Sequence, residues 1–127
     1  MTITEALSAY LKGYSGLTAL VKDHIYPVRG RQKADAPYVI HSILTDEPSY
    51  SHEGDCDATE TRFQIDCYAS TLKTAWAIAK QVTTALQDWS ASDGAIGAGF
   101  KETASEFWDD EVELYFVQIQ FKIQHGY

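Results

Sequence analysis

The chain has no apolar run close to the roughly 20 residues that cross a bilayer as a helix, so no membrane segment is expected. Cysteine is scarce: Cys56 and Cys67 are the only two among 127 residues. Two thiols cannot build a disulfide framework, and their spacing fits no zinc pattern. Cys67 reads as a small buried hydrophobe. Cys56 lies among carboxylates that disfavour a thiolate. Basic residues are also few, ten Lys and Arg against eighteen Asp and Glu, for a net charge of −8. Phosphate contacts need clustered Lys and Arg, so sequence-specific nucleic-acid binding is not expected. The opening Met1-Thr2-Ile3-Thr4-Glu5 lacks the basic start and apolar h-region of a secretory signal, which points to cytosolic synthesis.

Catalytic signatures are missing as well. No Gly-x-Ser-x-Gly elbow occurs. The run Gly94-Ala95-Ile96-Gly97-Ala98-Gly99 lacks the P-loop lysine and does not open a helix after a strand. His24, His41, His52 and His125 share no i, i+4 pair, so no metal site is expected. His41, inside a strand, is expected to be hydrogen-bonded, and His52 and His125 to be exposed. Asp109-Asp110 would serve acid–base chemistry only in a cleft. In a turn such a pair is solvated. These residues thus offer no catalytic constellation, and a metal-dependent or hydrolytic enzyme is the third-ranked reading.

What is present is an apolar fraction of 45% with 13% aromatic residues, enough for one globular domain over residues 1–127 with a two-layer core. The organising stretch is 61–89. Phe63, Ile65, Cys67 and Ala69 alternate with more polar residues, the period of a half-buried strand. Leu72, Trp76, Ala79, Val82, Leu86 and Trp89 then recur at three- and four-residue steps, the stripe of a long helix capped by Ser70 or Thr71. Trp76 and Trp89 are expected in the core.

Before that stretch, Thr2-Ile3-Thr4-Glu5 reads as a capping box opening a short helix that ends at Gly13. Ser15 is placed to cap a second short turn. Residues 25–29 read as an edge strand, because Pro27 cannot donate to a ladder. Residues 38–44 form the next strand, apolar as if both faces were covered, with Glu47-Pro48 marking its end. Residues 46–58 form an acidic arm without apolar period, and a loop that long in a small domain is functional or mobile. After the long helix, 95–103 is a glycine-weakened strand. Residues 106–110 make an acidic turn holding Phe107 and Trp108, and 111–124 is a clear final strand. Tyr115, Val117, Ile119, Phe121 and Ile123 take one face of it, and Gln118, Gln120, Lys122 and Gln124 the other. The order gives an α+β two-layer sandwich, a mainly antiparallel sheet packed by one long helix plus a short N-terminal helix.

Charge is polarised. Residues 1–45 hold five Lys/Arg against three Asp/Glu, and residues 46–127 five against fifteen. Such polarity suits head-to-tail contact between copies as well as ordinary solubility. Tyr50, Phe107, Trp108 and Tyr127 fall in loops or at the terminus, where aromatics are candidates for burial at an interface or fold back on their own domain.

Several of these stretches together resemble the phage tail completion family, the tail-terminator or head-to-tail joining proteins. They are Ile25-Tyr26-Pro27-Val28, Ala36-Pro37-Tyr38-Val39-Ile40, the central Phe63-Gln64-Ile65-Asp66-Cys67-Tyr68-Ala69 leading into an Ala-rich helix, and the closing 114–123 strand. The resemblance implies a structural virion protein, made in a host bacterium, that forms a ring, commonly of six copies. Such a ring caps the head-proximal end of the tail, ends tube polymerisation and joins tail to head. It implies self, the tail-tube protein and a head connector or stopper as partners, and no cofactor. An acidic chain also suits a channel that DNA traverses without sticking. On this reading Arg29, Arg31 and Lys33 meet a neighbour's acidic arm (Tyr50, His52, Glu53, Asp55) or its Asp109-Asp110-Glu111 turn, with Phe107 and Trp108 adding apolar contact. The alternative is a small-ligand-binding or regulatory α+β module, which would need a concave apolar pocket.

Overall fold

The Thr2 hydroxyl accepts from the Glu5 N–H at 3.2 Å and begins α1 (Ile3–Lys12), which closes on Gly13. Glu5 answers the cap through its carboxylate, which takes the Thr2 hydroxyl proton rather than a backbone N–H. The computed structural model describes residues 2–22, 24–27, 36–49, 58–92 and 96–126. Helix α2 (Ser15–Val21) follows, with Tyr14 at its N-cap and no side-chain cap, so Ser15 is the first helical residue rather than the cap. Helix α3 (Leu72–Ser92) is the long one, and Thr71 is its cap, accepting from the Thr74 N–H at 3.2 Å.

Five strands form one sheet in the order β1-β2-β3-β5-β4. They are β1 (Ile25–Pro27), β2 (Tyr38–Ser49), β3 (Ala58–Ala69), β4 (Ile96–Asp109) and β5 (Leu114–His125). Among the described residues only β1 and β2 pair in parallel, and the other pairs are antiparallel. The fold is thus α+β, helices on a mostly antiparallel sheet.

Two strands run further than their sequences suggest. Strand β2 does not stop at Glu47-Pro48; Pro48 sits opposite Thr59, and pairing continues to Ser49 opposite Ala58. The reason is positional. Among the described residues, β1 accompanies β2 only from Val39 to His41, so the far half of β2 is a free edge where a missing N–H costs no ladder bond. That half is not covered on both faces either, and Ile43 and Leu44 are exposed. Strand β4 absorbs both the weak glycine stretch and the expected acidic turn. Phe107 and Trp108 are strand residues facing Phe116 and Tyr115, and the turn is residues 110–113. Gly99 makes room for a ring: an added Cβ would lie 2.8 Å from Phe121 Cε1.

The core lies between the helices and one face of the sheet. Phe63, Ile65, Cys67 and Ala69 of β3 and Val117, Ile119, Phe121 and Ile123 of β5 meet Ala75, Ile78, Val82, Ala85, Leu86 and Trp89 of α3. Tyr115 shares that face at the end of β5 but is exposed. Tyr10 ties α1 to α3, stacking on Trp89 with ring centroids 5.1 Å apart and donating its hydroxyl to the Ala85 carbonyl at 2.7 Å. Trp76 is outside this core. It is exposed, and its indole N–H donates to Glu106 at 2.9 Å. Position 75, with a small alanine, takes the inward place instead.

Candidate functional site

The helix-free face of the sheet holds a row of aromatic rings. Register brings Tyr38, Tyr68, Phe116 and Phe107 side by side, one from each of β2, β3, β5 and β4. Successive ring centroids are 4.8, 4.8 and 5.1 Å apart, with planes 16°, 25° and 25° from parallel. Tyr26 of β1 leans against Tyr38 at 6.4 Å, so the row crosses all five strands. Near-parallel planes at strand spacing mean that each ring turns its face to the next ring, with Tyr38 buried at one end of the stack and Phe107 exposed at the other. The row is therefore no flat platform for a sugar or a base. Its last member, Phe107, is 45% exposed at the free edge of β4. Burial pushes the hydroxyls of Tyr38 and Tyr68 up, with nearby carboxylates adding to the effect.

Beside this row lies Asp66. Its Oδ2 accepts from the Gln64 amide at 3.3 Å, while Oδ1 is enclosed without a hydrogen-bond partner among the described residues. Burial raises its carboxyl above the ordinary carboxylate range, against the smaller pull of the Gln64 and Gln118 amides. Further along, the face becomes charged and self-paired. Arg62 reaches across β5 to grip Glu102 with two bonds of 2.7 and 3.2 Å, and Lys122 meets Glu60 at 3.1 Å.

On the helix side, α3 and β4 leave a groove of about 370 Å³. Trp76, Lys80 and Thr83 form its helical wall, and Lys101, Ala104 and Ile119 its floor and far side. Neither lysine forms an ion pair with a described residue. A concave surface with a basic rim is thus present, although nothing in the sequence order announced it.

The residues singled out in the sequence fall in two groups. Arg29, Arg31, Lys33, Tyr50, His52, Glu53 and Asp55 lie outside the described residues, as do Cys56 and Tyr127. Phe107, Trp108, Asp109 and Asp110 are brought together at the end of β4. Trp108, 49% exposed, lies edge-on to Tyr115 at 4.8 Å and donates its indole N–H to Asp110. Asp109 Oδ1 accepts from the Glu111 N–H at 3.0 Å and shapes the turn. Ile43, Leu44 and Trp76 were missed as surface residues, because a strand or helix pattern does not say where the opposing layer ends.

Two histidines depart from expectation. His41 is fully buried, with neither ring nitrogen hydrogen-bonded among the described residues, and burial drives its pKa down to about 4, with the Lys12 charge adding a smaller push. His125 is buried rather than exposed. Its Nε2 lies 2.7 Å from the Thr61 hydroxyl, which also bonds the Asp46 carboxylate, and burial lowers its pKa while Asp46 opposes the shift. Both fill the sheet side of the core, where a strand's inward position accepts a neutral imidazole. Cys67 is a free thiol in full burial, which pushes its pKa up. Among the described residues, no three His, Cys, Asp or Glu gather as metal ligands. Nor, among those residues, is any helix long and apolar enough to cross a membrane.

Exposed aromatics at a sheet edge and a basic groove define an α+β domain fitted for contact with other proteins. The chain belongs to the phage tail completion family: the family model described as Tail completion protein gp17 matches residues 5–125. Its fold is also that of a chain in the virion of a native gene transfer agent particle, with a TM-score of 0.74 at 18% identity, covering 98% of this chain and 95% of that one. No curated protein sequence gives a significant match. The family makes this a structural protein of the virion tail.

Proposed function

We propose that the protein forms a ring of six copies at the head-proximal end of a tail, where it ends growth of the tail tube and joins the tail to the filled head. The observation that supports this most is the family match over residues 5–125. Its partners on this reading are further copies of itself, the tail-tube protein and a connector or stopper on the head. Its work is contact, with no catalysis and no cofactor.

The shape of the sheet suits this reading. Among the described residues its two edges are unlike, β1 with the unpaired half of β2 on one side and the 14-residue β4 on the other. A contact between unlike surfaces is heterologous, and it closes into a ring when the rotation between copies divides a full turn. Arg29, Arg31 and Lys33 follow β1 in sequence, and the Asp109-Asp110-Glu111 turn ends β4. Their opposite charges would set the register between neighbours and suppress wrong contacts. The acidic arm with Tyr50, His52, Glu53 and Asp55 is the other proposed counterpart of that basic stretch.

The test is to label the protein with a small tag and gold in assembled particles. Label at the junction of head and tail is the expected result; label along the tube or at the distal tip would contradict it. The charge pairing has its own check. Arg31→Glu with Lys33→Glu should weaken incorporation into particles while leaving the thermal unfolding of the free chain unchanged. Incorporation equal to wild type would rule that pairing out.

A further inference from the structure

We propose that neighbouring copies meet edge to edge, with residues 43–46 of one copy seated in the α3–β4 groove of the next. The inference rests on the ring reading above and names the surfaces that would build it. It starts from two unsatisfied places on opposite edges of one sheet. On the β2 edge, Ile43 and Leu44 are 40% and 43% exposed, next to the exposed Asp46. On the β4 edge, the groove presents Trp76, 40% exposed, and the two lysines Lys80 and Lys101. Apolar side chains beside a carboxylate thus face an indole beside two ammonium groups, a match in both hydrophobicity and charge.

Topology supports the same pairing. Ile43 pairs with Phe63, Phe63 with Phe121, and Phe121 with Lys101, so the donor residue and the groove lie on one row across the sheet. Ile43 and Lys101 also share the helix-bearing face, which a rotation about a ring axis preserves from copy to copy. Three antiparallel steps separate β2 from β4, so a neighbour's β2 would run antiparallel to β4, as in an ordinary sheet. The aromatic row agrees. It ends at one edge on the exposed Phe107 and at the other on Tyr26, so the same docking brings the two ends together. A second copy of this chain fits as the occupant because each copy carries both complementary halves at one level, on opposite edges.

The test uses particles as they assemble. In a Cys56→Ser background, Leu44→Cys and Lys101→Cys are introduced together, and purified particles are treated with a short bismaleimide. The expected result is a ladder of cross-linked multiples that stops at one ring's complement, with no ladder from either single variant. Particles carrying the two single variants on different copies should give heterodimers. A second pair, Leu44→Cys with Thr84→Cys on the helical wall, keeps both lysines and gives the same readout if the first pair is poorly incorporated. Particles that contain the protein yet yield no ladder with either pair would overturn the contact while leaving the ring reading standing. Dimers from one single variant alone would overturn it too, because they mark a like-to-like contact. Wild-type particles without the protein would remove both readings.

Discussion

A buried imidazole with both nitrogens unpartnered among the described residues is tolerated only while it stays neutral, and this is the condition of His41. An unfolded histidine titrates near 6.5, whereas burial holds His41 down to about 4. Between those values the unfolded chain binds a proton that the folded chain refuses, so stability is lost as pH falls from about 6.5 to about 4. The full loss below pH 4 is about 3 kcal/mol at 1.4 kcal/mol per pK unit. His125, also lowered by burial, acts in the same sense. Replacing His41 by leucine removes the titrating ring from the helix-facing side of β2. His41→Leu should therefore be no less stable than wild type at pH 7 and should lose markedly less stability by pH 4.5. Guanidinium unfolding of both proteins at the two pH values would show it, and parallel losses would contradict the assignment. None of this was legible in the sequence, where a histidine inside an apolar strand reads as hydrogen-bonded. Period-two alternation fixes the face of a side chain but not whether a donor or acceptor stands opposite.

At the scale of elements, the strands are tied on their open face by rings rather than by ion pairs. The pairs Arg62–Glu102 and Lys122–Glu60 are about one-third exposed, where water screens the charges and leaves such contacts weak. The Tyr68–Phe116 stack joins the two central strands with centroids at 4.8 Å, and a pair of this kind contributes about 0.5–1.5 kcal/mol beyond its burial. A double-mutant cycle with Tyr68→Leu and Phe116→Leu should thus give a coupling of about 1 kcal/mol in urea unfolding. Additive losses would show that the rings are merely adjacent. The period of each element was readable: the helix stripe of α3 and the alternations of β3 and β5 appear where their residues put them. The row was not readable, because it depends on register between strands distant in sequence. Strand ends were obscured for the same reason. Pro48 stops a central strand but not a free edge, and Gly99 weakens an isolated strand but is needed where the Phe121 ring approaches.

At the scale of the whole molecule, one sheet edge with exposed Ile43 and Leu44 faces away from another with Phe107, Trp76 and a lysine-lined groove. On the proposed reading these two edges are where copies meet. The family was legible from the order of short motifs along nearly the whole chain, since 25–27, 36–40, 63–69 and 114–123 fall in sequence as β1, the entry and start of β2, β3 and β5. The groove was not legible, because its walls come from α3 and β4, with no motif linking them. The proposed function is to complete a tail and join it to a head. The most direct measurement is electron microscopy of particles from a source in which its gene has been deleted. Filled heads beside separate tails, many of them overlong, are the expected result, with rejoining when the wild-type gene is supplied. Intact, joined particles of normal tail length would contradict it.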